Sequence, residues 1–220
     1  MSTPLAETQR LLMRQFAASD LTAMTHVFGD AEVMRYGDGP QSPEWIRGWL
    51  RRCMESYAQR GYGPWAAVEK VRGEVIGYCG LFYFPDVNGR AEIEIGYRLA
   101  RAHWGQGYAT EAVTAVRDYA FAALEMPRLI ALIDPANTTS IRVAEKAGMR
   151  YEADVMFEGY SHPDWVYAIS REKIKDKSQA YFWSAAWQQA EREAQADIDA
   201  GNVQVFNSIE EIIVDLDSED

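Results

Sequence analysis

The spacing of apolar residues along the chain predicts strands that alternate with amphipathic helices. Runs rich in apolar and β-branched residues predict strands at 8–16, 65–69, 75–83, 91–99, 128–133, 151–157 and 165–170. Helical periodicity predicts helices at 19–28, 43–60, 110–124 and 138–147. The second of these has its large apolar residues at intervals of four: Trp45, Trp49, Cys53 and Tyr57.

Capping and turn residues set the limits of these elements. Ser19 and Asn137 are predicted to cap helices, and Pro43 occupies a first helical position. Turns are expected at Arg72-Gly73 and over 85–90. Strands come first in turn-linked pairs and then alternate with helices, so the order predicts an α/β fold with a mixed sheet and helices on both faces.

Composition narrows the class of protein. The 220 residues are 48% hydrophobic and 25% charged, as in soluble globular domains. No apolar run approaches the roughly 18 residues of a membrane span, and residues 1–16 lack the pattern of an export signal. Two cysteines and three histidines, all scattered, give no ligand spacing. We therefore expect a cytoplasmic protein without a metal site.

The net charge of −11 is unevenly distributed along the chain, because residues 176–220 carry 11 acidic and 2 basic residues. A nearly neutral body is therefore followed by an acidic tail, which indicates two units. We therefore do not expect the protein to bind nucleic acid through this tail, which would repel phosphates.

A glycine-rich turn follows the strand at 91–99 and precedes the helix predicted to begin at Thr110. Gly105 and Gly107 let consecutive backbone amides point the same way, and the first amides of the helix are unpaired at its positive end. This arrangement is a cradle for a phosphate or pyrophosphate.

The same turn resembles the acyl-CoA loop of the GNAT acetyltransferase superfamily, in the Rim-type branch that includes ribosomal-protein N-terminal acetyltransferases. The superfamily pattern is (Gln/Arg)-x-x-Gly-x-(Gly/Ala), and residues 104–109 read Trp-Gly-Gln-Gly-Tyr-Ala, with Trp104 in place of the usual first residue. Residues 137–149 resemble the next helix of the superfamily, Asn-x-x-(Ser/Ala)…Glu-Lys-x-Gly-(Phe/Met). The resemblance covers about residues 8–172.

The resemblance implies the GNAT fold: a mixed, mostly antiparallel sheet with helices on both faces, and a cofactor cleft where the strands at 91–99 and 128–133 splay apart. It implies acetyl-CoA as co-substrate, with a backbone amide near Tyr97–Leu99 stabilising the developing oxyanion. The cofactor-binding residues it implies are Tyr97, Leu99, Trp104, Gly105, Gln106, Gly107, Tyr108, Ala109, Thr110 and Asn137.

Acetyl transfer to an amine needs a base, because an amine is largely protonated at neutral pH. Glu92 and Glu94 lie on one face of the strand that leads into the loop. By resemblance, a glutamate here is the usual base, and Glu94 is the first candidate. The alternative is that Glu92 and Glu94 have no catalytic role and only form a solvent-facing surface of the strand. Ala144 stands where many relatives carry a tyrosine acid, which leaves Ser140 as the polar candidate.

The tail forms a second predicted unit, so the chain divides into a GNAT domain at 1–173 and an acidic helical extension at 174–220. Segments between Tyr181 and Glu211 resemble the toxin-binding part of bacterial antitoxins, without the DNA-binding half. The tail either docks a basic toxin-like protein or folds onto its own domain or a sister subunit, as in a homodimer.

The leading interpretation is an acetyl-CoA-dependent N-acetyltransferase that acts by direct attack of an amine, either a protein N-terminus or a small amine. The alternative is a binding protein whose tail docks a toxin, the acetyltransferase body being secondary. A toxin that acetylates aminoacyl-tRNA is disfavoured, because the body lacks a basic excess.

Overall fold

The computed structural model describes residues 5–173. The predicted helices of the acidic tail, and the proposed division after residue 173, lie at or outside the limit of these residues. Eight strands are present: β1 (Ala6–Glu7), β2 (Leu11–Arg14), β3 (Pro64–Glu69), β4 (Glu74–Val87), β5 (Arg90–Leu99), β6 (Arg128–Ile133), β7 (Arg150–Val155) and β8 (Asp164–Ser170). The helices are α1 (Leu21–Phe28), α2 (Pro43–Arg60), α3 (Tyr108–Ala122) and α4 (Thr138–Lys146), with short 3-10 turns at Ala18–Asp20, Arg101–His103 and Arg171–Lys173.

The strands form one sheet in the order β1-β2-β3-β4-β5-β6-β8-β7. All neighbours are antiparallel except β5 and β6, which run parallel. The prediction of a mixed, mostly antiparallel sheet with helices on both faces is confirmed.

Alternation along β3 shows how the two faces are covered. Trp65 and Ala67 pack with α3 and α4, whereas Ala66 and Val68 pack with α1 and α2. Every residue of β3 is buried, because helices cover both faces of the sheet at this point.

The capping predictions had different outcomes. Ser42 accepts a hydrogen bond from the Trp45 amide and Asn137 from the Ser140 amide, as expected of helix caps. The Ser19 cap is wrong: Ser19 lies inside a 3-10 turn. Asp20 instead accepts from the Ala17 amide, where Arg14 also holds its carboxylate.

The turn predicted over 85–90 is present but shorter than predicted, because β4 continues to Val87 and β5 begins at Arg90. Its pairing with β5 shifts register between Phe84 and Val87, so the missing amide of Pro85 is accommodated by an irregularity within the strand. The reversal comes at Asn88-Gly89, where both residues have positive φ, as a tight hairpin requires.

Membrane-spanning helices and metal clusters are both absent from the described part of the chain. None of the helices there is long and apolar enough to cross a membrane. Among residues 5–173, no cluster of three or more His, Cys, Asp or Glu side chains is placed to hold a metal ion.

Candidate active site

The candidate site begins with a gap in the sheet between β5 and β6. Within the described residues, these strands share one ladder position, Glu94 opposite Ile130. β4 stays paired with β5 as far as Leu99, while β8 pairs with β6 from Arg128 to Ile133. Each strand thus follows a different neighbour, so residues 95–99 and 131–133 separate beyond Glu94.

The glycine loop lies between β5 and α3. Gly105 and Gly107 have φ values of 72° and 85°, in the left-handed region that favours glycine. Gly107 is also the N-terminal flanking residue of α3, which begins at Tyr108, two residues earlier than the periodicity predicted. The first amides of α3 have no acceptor within the helix, so the loop has the form of an anion cradle.

Side chains of the loop mostly bind the protein itself. The Trp104 indole donates to the Leu99 carbonyl at 2.8 Å, and the Gln106 side-chain amide donates to the Ala102 carbonyl at 2.9 Å. Tyr108 is buried and donates to Glu69 at 2.9 Å. These residues therefore offer a ligand their backbone amides rather than their side chains, as do Ala109 and Thr110 in the first turn of α3.

Glu94 lies where β5 and β6 separate. Burial raises the pKa of its carboxyl group to about 7; a hydrogen bond from the Leu132 amide partly opposes this shift and the nearby Asp164 reinforces it. A carboxylic acid with this pKa exchanges a proton near neutral pH, which suits a general base.

Glu92, two residues earlier, has a different environment. It is buried and bound by Arg90 at 2.6 Å and by Arg128 at 3.1 Å. Both arginines also bind Glu152, so Glu92 belongs to a four-residue ion-pair network. The structure thus places only Glu94 at the gap.

Ser140 is connected across the fold to β5. The Tyr97 hydroxyl donates to its Oγ at 3.0 Å, and burial raises the pKa of Tyr97 to about 12. Asn137 Oδ1 accepts from the Ser140 amide at 3.1 Å, so the Asn137 side chain acts as a helix cap. Ala144 is buried in the core.

Acidic side chains lie on the same side as Glu94. Burial raises the pKa of Asp164, and the proximity of Asp134 adds to the shift. Asp134 lies 3.5 Å from the ring of His162. Arg98 is the neighbouring cation that acts on Glu94. Sequence reasoning missed both aspartates, because each lies on a different strand or loop from the glutamates.

Sequence reasoning also missed two residues that contact the glycine loop or the first turn of α3. Thr8 and Arg10, in the turn between β1 and β2, both bind Glu111 in the first turn of α3. No local pattern could have found them, because about a hundred residues separate the two segments.

The comparisons with known proteins agree with this geometry. Residues 10–150 match the family model described as the acetyltransferase (GNAT) domain. The uncharacterized protein YkkB of Bacillus subtilis is 39% identical over 153 residues, which are 67% of this chain and 86% of that protein. Spermidine N(1)-acetyltransferase of Escherichia coli is 30% identical over 166 residues, 71% of this chain and 82% of that protein. The crystal structure of a GNAT-family acetyltransferase from Bacillus anthracis matches with a TM-score of 0.66 and 28% identity, over 76% of this chain and 99% of that one.

Proposed function

The chain belongs to the GNAT acetyltransferase family, and from this premise we propose that it moves an acetyl group from acetyl-CoA to a primary amine by direct attack, with Glu94 as the general base. The observation that carries the proposal is the position of Glu94. Its carboxyl group, with a pKa of about 7, lies where β5 leaves β6, on the strand that leads into the glycine loop.

The loop fits the cofactor by its backbone. Acetyl-CoA, when bound, supplies the acetyl group as a thioester. Gly105 has open space around the position that a Cβ would occupy, and the free amides at the start of α3 provide donors for a pyrophosphate. The net contribution of a hydrogen bond to a charged group is about 1.5–3 kcal/mol.

Glu94 has the right protonation for its task. At neutral pH an aliphatic amine carries a proton, and about half of the Glu94 side chains are ionised when the pH equals a pKa of about 7. The carboxylate can therefore accept the amine proton, directly or through water, and release it to solvent afterwards.

Ser140 and Tyr97 suit the departing thiolate. Because Ser140 Oγ accepts a hydrogen bond from Tyr97, its own hydroxyl proton is free to be donated elsewhere. We assign Ser140 a hydrogen bond to the sulfur of the departing thiolate, while Ser140 keeps its proton. We assign a β5 backbone amide near Tyr97–Leu99 the stabilisation of the developing oxyanion.

The charges around Glu94 favour an acceptor that carries more than one positive charge. Asp164 and Asp134 lie close to each other on this side, and Asp164 acts on Glu94 electrostatically. These carboxylates would attract and orient a polyamine, whose second ammonium group remains charged while the first reacts. The relative that acetylates spermidine supports this choice of acceptor. A protein N-terminus is the second candidate for the acceptor. The role of residues 177–220 in docking a partner is a separate question and stays a prediction.

The test is a thiol-release assay with the full chain, acetyl-CoA and a panel of amines at equal concentration. We expect turnover with spermidine or spermine to exceed turnover with a monoamine that has no other charged group. It should also exceed turnover with a peptide that has a free N-terminus. Added salt should reduce the advantage of the polyamine, because screening weakens its attraction to the aspartates. Faster turnover of the peptide would instead select the N-terminal acceptor. No thiol release with any amine would contradict the proposed activity.

A further inference from the structure

Arg10 contacts the glycine loop through its guanidinium group. Its Nη1 donates to the carbonyl oxygen of Gln106 at 2.9 Å, and its Nη2 lies 3.4 Å from the position that a Cβ of residue 107 would occupy. The guanidinium also lies over the ring of Tyr108, 4.3 Å from its centroid. One side chain from the N-terminal hairpin thus contacts the residues on both sides of Gly107.

The contact with the Gln106 carbonyl has a consequence for the next amide. The carbonyl of Gln106 and the N–H of Gly107 belong to one planar trans peptide, so they point in opposite directions. A guanidinium that holds the carbonyl on its own side therefore directs the Gly107 N–H to the other side of the loop. Glycine at a φ of 85° gives this peptide unusual freedom to rotate, so an external restraint has a function here.

We propose that Arg10 is a positioning residue of the cofactor site, which fixes the Gln106–Gly107 peptide so that the Gly107 amide faces the pyrophosphate of CoA. The inference rests on the proposed function, because it takes the loop to be the CoA site.

The surroundings of Arg10 hold it in place. Its backbone amide and its Nε both donate to the carboxylate of Glu111, at 3.0 and 2.7 Å. Its own carbonyl accepts from the Lys70 amide at 2.9 Å. Tyr108, beneath the guanidinium, is fixed by its hydrogen bond to the buried Glu69.

Arg10 also neutralises the negative charge of Glu111 in the first turn of α3. A carboxylate in the first turn of α3 would repel a pyrophosphate bound at the same helix end. Burial alone would raise the pKa of Glu111, but hydrogen bonds from Thr8 and Arg10 lower it, so the carboxylate is ionised and needs a counter-charge. Arg10 therefore has two separable effects, orientation of a peptide and neutralisation of Glu111.

The experiment measures the affinity of the full-length protein for CoA by calorimetry in variants of Arg10. We expect Arg10→Gln to weaken binding by roughly ten- to a hundredfold, the equivalent of one hydrogen bond to a charged group. Arg10→Lys should lose less, because one donor can still reach the carbonyl. Turnover at saturating acetyl-CoA should change little in either variant.

Arg14→Gln is the matched control. Arg14 lies on the same N-terminal hairpin and is bound to Asp20 at 2.7 and 2.8 Å, with no contact to the loop among the described interactions. Its loss should lower the melting temperature but leave the affinity for CoA unchanged. A fall in CoA affinity equal to that of Arg10→Gln would show that any damage to the hairpin has this effect, and would overturn the inference.

The double variant Arg10→Gln/Glu111→Gln separates the two effects, since it removes both charges. If Arg10 orients the peptide, affinity stays low; full recovery would mean that Arg10 only neutralises Glu111 and would overturn the inference. Unchanged CoA affinity in Arg10→Gln would overturn it too.

If Arg10→Gln does not fold, the NMR signal of the Gly107 amide in Arg10→Lys provides the test. Adding CoA should shift this signal less in Arg10→Lys than in the wild type, and an equal shift would contradict the inference. A wild-type chain that binds no CoA overturns the proposed function itself, and this inference with it.

Discussion

Two glutamates of β5, only two residues apart, lie in different electrostatic environments. Towards the start of the strand, which we call the closed end, Glu92 is bound by Arg90 and Arg128. At the ladder position beyond which β5 and β6 separate, which we call the open end, Glu94 accepts a hydrogen bond from a backbone amide and has a raised pKa. Two residues of separation thus divide a carboxylate that stabilises the fold from one that is available for chemistry.

The cause of the difference is the divergence of the strands. Where β6 stays close, it brings Arg128 to the carboxylate of Glu92 and supplies the charge that compensates burial. Where β6 departs, burial continues without an equal counter-charge, so the proton is retained to a higher pH. Under the proposed function, the divergence of one strand therefore accounts both for the gap in the sheet and for the raised pKa of Glu94.

The largest expected effect comes from Glu94→Gln, which removes the base but keeps the shape. We expect kcat at pH 7 to fall by roughly 10²- to 10⁴-fold, with little change in the affinity for CoA. Steady-state kinetics and calorimetry on the same preparation measure both. The matched variant Glu92→Gln should retain most of its turnover. If Glu92→Gln loses activity and Glu94→Gln does not, the two glutamates have been assigned the wrong way round.

The pH profile should separate the same two residues. Only the ionised form of Glu94 accepts a proton, so wild-type kcat/KM for the amine should rise through an apparent pKa of about 7. In Glu94→Gln this limb should disappear, and the rate should rise only at higher pH, as the free amine forms without help. If kcat/KM of the variant still rises near pH 7, the titrating group is not Glu94.

At the loop, Gly107→Asp should weaken CoA binding by roughly ten- to a hundredfold. A Cβ at this position lies 3.4 Å from Arg10 Nη2, so the new carboxylate would draw the guanidinium away from the Gln106 carbonyl and add negative charge near the pyrophosphate. Aspartate tolerates a left-handed conformation and is a good N-cap, so the melting temperature should be largely preserved. Gly107→Asn is the control of equal shape without the charge, and it should bind CoA better than Gly107→Asp. Equal, undiminished affinity in both variants would remove the loop from the cofactor site.

At the closed end, Glu92→Gln should affect stability rather than catalysis. It removes one of the two carboxylates that Arg90 and Arg128 share, and we expect the free energy of unfolding to fall by about 1–3 kcal/mol. The loss should be smaller than for a fully buried pair, because Arg90 is 54% exposed. Urea unfolding at pH 7 measures the change. Because the carboxylate of Glu152 is more exposed, Glu152→Gln should lower the free energy of unfolding by less. An equal or larger loss would show that Glu152 contributes more to the stability of the network than Glu92.

The sequence predicts the elements of this comparison but not the contrast. Periodicity and caps locate β5, α3 and α4, and alternation places Glu92 and Glu94 on one face. Alternation cannot separate them, because the separating groups, Arg128 and the Leu132 amide, come from a strand more than thirty residues later. Arg10 could not be predicted for the same reason, because it is 96 residues away in the sequence from the loop residue that it contacts.

The smallest effect is expected within the open end itself, from Tyr97→Phe. Loss of the hydrogen bond leaves Ser140 free to turn its hydroxyl proton away from the sulfur, which should lower kcat by roughly two- to tenfold, in line with a lost neutral hydrogen bond of about 0.5–1.5 kcal/mol. The affinity for CoA should not change, because the loop is untouched. Ser140→Ala should lower kcat by at least as much, and adding Tyr97→Phe to it should have little further effect, since both changes disable one donor. Independent, multiplying losses in the double variant would show that Tyr97 acts elsewhere than through Ser140.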